Sequence, residues 1–237
     1  MAIIEVQNLV KNYGSVEAVK GISFTVDQGE IFGLIGPNGA GKTTTLQILS
    51  TLLQITDGSV RLFDIDLEKH PDEVRKHISY LPEDAGAYKN LTGRQYLEFI
   101  AHFFNPKKSD EMIRKGIEIA DLDTRIDDKV DTYSKGMKRR LLVGRALMNN
   151  PKLAILDEPT SGLDVRNAQE IRSIIKSSAK NGTIVLLSSH NMLEVEYLCN
   201  RIALIADGRI IEEGKPKQLK KKYSAENIEE VFMKVVQ

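Results

Sequence analysis

A glycine-rich turn between an apolar run and a helix-forming stretch constrains this chain more than any other feature. Residues 31–44 are IFGLIGPNGAGKTT. The apolar run 31–35 is too short for a buried helix and stops at Gly36, which predicts a core strand followed at once by a loop. Thr43 and Thr44 then open a helix. Loop N–H groups and the positive end of this helix would face one point, and such a point favours an anion.

The spacing of this segment matches the pattern G-x-x-x-x-G-K-[ST], known as a P-loop. Lys42 supplies a positive charge for the outer phosphates of a nucleotide, and the Thr43 hydroxyl is a suitable ligand for Mg²⁺. An ordinary glycine-rich turn would not require the whole pattern between a strand and a helix. The predicted nucleotide-binding residues of the loop are Gly36, Pro37, Asn38, Gly39, Ala40, Gly41, Lys42, Thr43 and Thr44.

Composition limits the class of protein. The chain has 237 residues, 41% of them hydrophobic and 28% charged, as in globular proteins with one sizeable core. Lysine plus arginine equals aspartate plus glutamate at 33 each, so nucleic acid is not a predicted partner. No run approaches the about 18 apolar residues of a membrane span, and the N-terminus lacks a signal-peptide layout, which predicts a cytoplasmic protein. The single cysteine, Cys199, is predicted to be reduced and buried.

Hydrophobic periodicity predicts both sheet and helix. Before the P-loop, short half-buried strands broken at Asn12, Gly14 and Gly21 predict an antiparallel layer. Further strands are predicted at 59–63, 78–81, 152–156, 183–187, 202–206 and 209–212, with turns at 57–58 and 207–208. Helices are predicted at 71–76, from Thr92 with a capping box to Gln95, from Ser109, and at 135–148, 165–180 and 192–198.

The order of these elements predicts an α/β fold. We expect a P-loop NTPase core with a mostly parallel sheet, an N-terminal antiparallel β-layer and an inserted helical lobe. The predicted division is 1–82 plus 151–214 for the core and 83–150 for the lobe, with 215–237 as a helical tail, all in one domain. The lysine-rich tail is typical of a solvated helix face, and contact with lipid headgroups is the alternative.

Two acidic residues follow a predicted core strand. Asp157 and Glu158 come directly after the apolar residues 153–156, at the carboxyl end where open α/β sheets bind ligands. Asp157 would hold Mg²⁺, and Glu158 would polarise the attacking water. Two carboxylates that merely cap a strand are the alternative.

Tyr13 lies between two predicted strands, where a polar turn residue is more common. Its ring could stack on a nucleotide base, or it could cap the β-layer. These two interpretations stay open.

From Tyr13 to about Gly214 the chain resembles the nucleotide-binding subunit of ABC transporters, because several of that family's motifs occur in its order. Tyr13 matches the aromatic loop that stacks on adenine, and His190 matches the switch histidine. The resemblance also implies a signature that acts on the partner's nucleotide and a D-loop. The signature residues are Ser134, Lys135, Gly136 and Met137, and those of the D-loop are Ser161, Gly162, Leu163 and Asp164. Without the other motifs, the signature would be a capped helix with a basic face and His190 a structural histidine.

Two positions depart from the family pattern. Lys135 and Met137 replace the usual glycine and glutamine of the signature, which leaves Ser134 and Gly136 as phosphate donors. Glu83 stands where a glutamine is common, and we expect it to be a third ligand of Mg²⁺ beside Thr43 and Asp157. The segment around it resembles the branch that includes drug, lipid, sodium and antibiotic exporters.

The resemblance implies an ATPase that uses ATP and Mg²⁺, pairs head to tail with a second ATPase subunit (a homodimer or a related chain), and energises export by a membrane-spanning partner. Lys42, Glu158 and His190 are its expected catalytic residues. The protein would lie on the cytoplasmic face of the membrane through that partner. The rival hypothesis is an ABC-type ATPase that acts on the ribosome or on DNA, whose known members carry paired ATPase domains or a long coiled coil.

Overall fold

The computed structural model describes residues 2–236. The outermost predicted boundaries, residues 1 and 237, lie outside this range. Its strands are β1 (Ala2–Tyr13), β2 (Val16–Asp27), β3 (Ile31–Ile35), β4 (Asp57–Leu62), β5 (Ile65–Asp66), β6 (Ile78–Leu81), β7 (Leu153–Leu156), β8 (Ile184–Ser189), β9 (Arg201–Ala206) and β10 (Arg209–Gly214). Its α-helices are α1 (Lys42–Leu49), α2 (Pro71–Arg75), α3 (Gly93–Phe104), α4 (Ser109–Ala120), α5 (Lys135–Leu147), α6 (Val165–Lys180), α7 (Met192–Leu198), α8 (Pro216–Lys222) and α9 (Ile228–Val236).

Two sheets form the core. The larger has the order β10-β9-β3-β8-β7-β6, and its strands are parallel except for the edge strand β10. The smaller is antiparallel with the order β2-β1-β4-β5. The predicted α/β class with an antiparallel N-terminal layer is therefore confirmed.

Strand β3 is the centre of the packing because all five of its residues are buried. Phe32 and Leu34 face the smaller sheet and α1, where they share an apolar cluster with Ile4, Leu9 and Leu46. Ile31 and Ile35 face the opposite layer, which contains α5, α6 and α7. The P-loop thus leaves a strand that is fixed on both faces.

Three helices occupy the segment between β6 and β7. Helix α3 begins at the predicted capping box, in which the Thr92 hydroxyl accepts from Gln95 N while the Gln95 side chain accepts from Thr92 N. Helices α4 and α5 pack at Gly116 and Gly144, where a Cβ added to Gly144 would lie 2.7 Å from Gly116 O. The helical content agrees with the predicted lobe, whose boundaries as a unit remain a prediction.

Two local predictions are wrong. Asn12 and Gly21 do not break the N-terminal strands, since Asn12 pairs with Glu17 inside the β1–β2 ladder. Gly21 is the extra residue of a β-bulge with a φ of 76°, a conformation that glycine adopts without steric cost. Of the three predicted strand breaks, only the one at Gly14 is found, where Gly14 and Ser15 form the turn between Tyr13 and Val16.

Residues 57–58, predicted as a turn, instead begin β4. Gly58 permits this because β1 approaches so closely that an added Cβ would lie 2.4 Å from Asn8 O. Within residues 2–236, no helix is both long and apolar enough to cross a membrane.

Candidate active site

The P-loop joins β3 to α1 as its sequence predicts, and its glycines allow two close backbone approaches. A Cβ on Gly36 would lie 2.0 Å from Ile205 O of β9. A Cβ on Gly41, whose φ is 100°, would lie 2.6 Å from Ala18 O. A larger residue at either position would move the loop away from the end of the sheet.

Lys42 is a buried cation at the start of α1, with 5% of its surface exposed. Its Nζ donates to Gly36 O at 2.8 Å and Pro37 O at 3.1 Å, and lies 3.5 Å from Glu158 Oε1. The ammonium is therefore held inside the loop by carbonyl oxygens and one carboxylate. An entering phosphate would offer it a stronger partner.

Asp157 follows β7, next to the start of α1. Its Oδ1 accepts from Thr43 Oγ1 at 3.2 Å and from Ser188 Oγ at 2.5 Å. Burial raises the pKa of Asp157 above its usual value, while the hydrogen bonds from Ser188 and Thr43 oppose that rise. A divalent cation at this carboxylate would compensate the buried charge.

Glu158 is buried and has a φ of 47°, a left-handed conformation that is uncommon outside glycine. Its backbone N donates to Ser188 Oγ at 2.9 Å, which fixes this turn against β8. His190 Nδ1 lies 2.9 Å from Glu158 Oε2. Lys42 and His190 thus approach different oxygens of one carboxylate.

Four of the six predicted catalytic and metal-binding residues line one cleft. Lys42, Thr43, Glu83 and Glu158 line a cavity of about 150 Å³ together with P-loop backbone. The hydroxyl of Thr43 and the neighbouring carboxylate of Asp157 are hard oxygen donors, which is the set that Mg²⁺ uses when it also binds substrate phosphates. The residues present therefore fit a magnesium–nucleotide complex.

Glu83 connects this cleft to two other segments. Its Oε1 accepts from Ser161 Oγ of the predicted D-loop at 3.2 Å. Its backbone O accepts from Arg139 Nη2 of α5 at 3.0 Å. Burial lowers the pKa of Arg139, and the charges of Glu83, Asp157 and Glu158 act in the opposite direction.

The predicted signature lies outside the P-loop cavity. Ser134 is the N-cap of α5, and its hydroxyl accepts from Met137 N at 3.2 Å. Gly136 packs so closely on α6 that an added Cβ would lie 2.0 Å from Asn167 Oδ1. A Cβ added to Gly162 would lie 2.0 Å from Lys135 Nζ. The signature and the D-loop therefore lie beside each other, and no residue of either lines the P-loop cavity.

Tyr13 is not brought to the cleft. It ends β1, is half exposed, and has the Lys11 ammonium 5.3 Å from its ring centre. Neither interpretation of Tyr13 is decided by this position. A larger cavity of about 550 Å³ lies between α4 and α6 and contains none of the predicted residues, so cavity size does not identify the site.

Sequence reasoning missed Ser188 and Arg139. Ser188 binds both acidic residues of the site and is buried at the end of β8. A hydroxyl that interrupts a buried aliphatic run, two residues before His190, was the available signal. The sequence around Arg139 is typical of a basic helix face exposed to solvent, yet Arg139 is buried.

A phosphate-binding loop beside a carboxylate pair, at the ends of parallel strands, is the arrangement of a P-loop nucleotide hydrolase. Comparison with known proteins narrows this class. Residues 19–161 match the family model described as "ABC transporter".

Two relatives are each 37% identical to this chain. One is a linearmycin resistance ATP-binding protein of Bacillus subtilis, over 90% of this chain and 69% of its own length. The other is a daunorubicin/doxorubicin resistance ATP-binding protein of Streptomyces peucetius, and the match covers 92% of this chain and 66% of the relative's own length. A solved ATP-binding subunit of an ABC transporter superimposes with a TM-score of 0.87 at 26% identity, covering 99% of this chain and 100% of the solved one. The chain belongs to the ABC transporter family, as an ATP-binding and ATP-hydrolysing component.

The raised pKa of Asp157 predicts that its ionised form destabilises the nucleotide-free protein. The pKa of Asp157 is higher in the folded than in the unfolded protein. Its favourable contribution to the free energy of unfolding is therefore complete below the unfolded-state pKa, and it is lost as the pH rises through the folded-state pKa. Asp157→Asn should therefore raise the melting temperature by a few degrees near about pH 7.5. The gain should shrink as the pH falls towards the raised pKa. Calorimetry of nucleotide-free protein over this range measures both effects.

Asp164→Asn is the matched control. Asp164 caps α6, and the hydrogen bond from Asn167 N lowers the pKa of its exposed carboxylate. Its ionised form therefore stabilises the fold at neutral pH, so this variant should not gain stability. A lower melting temperature for Asp157→Asn than for the wild type at neutral pH would contradict the interpretation.

Proposed function

We propose that this chain binds Mg²⁺–ATP at its P-loop, pairs head to tail with a second ATPase subunit, and energises export by a membrane-spanning partner. The observation that carries the proposal is the convergence of Lys42, Thr43 and Glu158 on one cleft, with Asp157 bonded to Thr43 beside it. Printed names of relatives supply the direction of transport, since they include antibiotic resistance and Nod factor export proteins.

The residues of the cleft have separate roles in this proposal. Loop N–H groups and the N-terminus of α1 bind the phosphates, while Lys42 exchanges its carbonyl partners for the outer phosphate oxygens. Thr43 and Asp157 hold Mg²⁺, with Glu83 as a third ligand. The metal ion neutralises charge on the phosphates when it is bound. Tyr13 stacks on the adenine.

Glu158 acts as the general base for the attacking water. Its Oε1 faces Lys42, and its Oε2 is held by His190. When Lys42 turns to phosphate, Oε1 becomes free to accept a hydrogen bond from water, while His190 keeps the carboxylate oriented. His190 is half exposed and can also contact the γ-phosphate.

Glu158→Gln tests the chemical role. The amide keeps the shape of the side chain but does not accept a proton, so turnover should fall by about 100-fold or more while ATP binding persists. ATP hydrolysis and the dissociation constant of a fluorescent ATP analogue measure the two effects. An ATP-bound dimer should accumulate on size exclusion. Turnover at the wild-type rate would remove Glu158 from the chemistry.

The signature and D-loop provide the second half of each nucleotide site. Ser134 and Gly136 lie at the N-terminus of α5, so a hydroxyl and backbone N–H groups can bind phosphate there. Because this surface is separate from the chain's own cleft, we assign it to the nucleotide of the other subunit. Each ATP would then be enclosed by one subunit's P-loop and the other's Ser134–Met137 segment.

Mixed dimers test this arrangement. Lys42→Ala and Ser134→Arg chains should each be inactive alone. In a mixed dimer both lesions fall on one site and the other stays intact. An equal mixture should regain about a quarter of the wild-type rate, because half of the dimers are mixed and each has one intact site of two. If cross-linking shows that mixed dimers form but the mixture stays inactive, the head-to-tail arrangement is wrong.

The membrane-spanning partner is assigned to an exposed aromatic face. Phe99 and Phe103 lie one turn apart on α3, with 52% and 85% of their surfaces exposed. Tyr88 packs edge-on against Phe99 with 5.6 Å between ring centres, which extends the apolar surface towards the Glu83 loop. Exposed apolar patches of this kind mark interaction surfaces. A cytoplasmic segment of the partner bound here would be linked to the nucleotide site through the Glu83 loop.

The double substitution of Phe99 and Phe103 by serine should abolish co-purification with an integral membrane protein, identified by mass spectrometry from native membranes. ATP-driven dimerisation should persist, since both side chains are remote from the cleft. Met233→Ser, at a similarly exposed position of α9, is the control and should retain the partner. Undiminished co-purification of the membrane protein by the double variant would refute the assigned face. Recovery of ribosomal or DNA-repair proteins alone would favour the rival function.

A further inference from the structure

Arg139 is a buried charge that the proposed chemistry does not use. It lies in the second turn of α5 with 7% of its surface exposed, and charged side chains are rarely buried this far unless they are paired. Nη2 donates to Glu83 O at 3.0 Å. Nη1 is buried and has no hydrogen-bond partner within the part of the chain described. A spare donor of this kind requires an explanation.

The acidic groups around Arg139 explain why its charge is buried. The acidic groups that stabilise its charge are Glu83, Asp157 and Glu158, with Glu83 contributing most. Glu83 lines the P-loop cavity, and its carboxylate is bonded to Ser161 of the D-loop. Arg139 itself belongs to the helix that begins at the signature. The pair of Arg139 and Glu83 therefore joins the chain's own nucleotide cleft to the signature and to the D-loop, which we assign to the other subunit's nucleotide.

We propose that Arg139 is a positioning residue that compensates the charge of Glu83 and ties the Glu83 loop to α5, so that nucleotide binding in one cleft orients the signature offered to the other subunit. The inference rests on the proposed function. The Nη2 bond to the Glu83 carbonyl is kept whichever way the carboxylate points. Nη1 is the donor left for the carboxylate when it leaves Ser161. Nucleotide and metal in the cleft would then move the loop and α5 together.

The pairing predicts that Arg139 matters only while Glu83 is charged. In a Glu158→Gln background, ATP drives dimerisation without turnover, and the ATP concentration for half-maximal dimer is measured by size exclusion. Arg139→Gln should raise this concentration by about tenfold, because Glu83 then has no cationic partner in α5 and the signature is no longer held in orientation for the other subunit. Binding of a fluorescent ATP analogue to the P-loop without magnesium should change by less than about threefold.

Removal of the charge should rescue the defect. Glu83→Gln combined with Arg139→Gln should dimerise within about threefold of Glu83→Gln alone, so the two changes are not additive. Arg139→Lys keeps the positive charge and should retain most of the dimerisation. If Arg139→Gln does not fold, Arg139→Met, an uncharged side chain of similar length, and its combination with Glu83→Gln form the same cycle.

Arg145→Gln is the matched control on the same helix. Arg145 Nη2 donates to Tyr80 O at 3.2 Å, so it also links α5 to the strand that precedes Glu83, without bonding to Glu83. Its loss should lower the melting temperature but show no coupling to Glu83→Gln. Additive effects of Arg139→Gln and Glu83→Gln on dimerisation would overturn the role of Arg139. So would a lower melting temperature of Arg139→Gln without any change in dimerisation. Failure of the Glu158→Gln parent to dimerise on ATP would instead refute the proposed dimer, and the inference with it.

Discussion

The buried contact between Lys42 and Glu158 is the constraint on which the rest of the site depends. Both side chains are almost fully enclosed, and their charged atoms are 3.5 Å apart. Burial of two ions costs more than a single contact at this distance returns unless further hydrogen bonds complete their coordination. Two carbonyls do so for Lys42, and His190 does so for one oxygen of Glu158. Glu158 Oε1 has no hydrogen bond within the described part of the chain.

The parallel sheet explains how these charges come together. Strands β3, β8 and β7 are neighbours, and all three end at the same edge. The first supplies the P-loop, the second Ser188 and His190, and the third Asp157 and Glu158. Because the strands are buried and paired in register, the side chains at their ends need no flexible loop to meet. Ser188 reinforces this geometry since it bonds to Asp157 and to the backbone of Glu158.

Features encoded by contiguous residues could be predicted, and features set by distant contacts could not. The P-loop, the capping box at Thr92 and the acidic pair after β7 each follow from a local pattern. The bulge at Gly21 depends on the register of β1 against β2, which a turn-forming residue type does not reveal. Arg139 reads as one of several cations on a helix, and only its contact with Glu83, 56 positions away, makes it distinctive.

In the mechanism that we propose, Lys42 would keep the carboxylate of Glu158 unavailable until ATP binds. Oε1 of Glu158 lies 3.5 Å from the Lys42 ammonium. Phosphate attracts Lys42 more strongly than neutral carbonyls do, so ATP itself would withdraw the cation and free the carboxylate. In this mechanism the nucleotide would bind before the base becomes available. Lys42 would pair first with Glu158 and then with the phosphates of ATP. This exchange would link nucleotide binding to hydrolysis without a further conformational change.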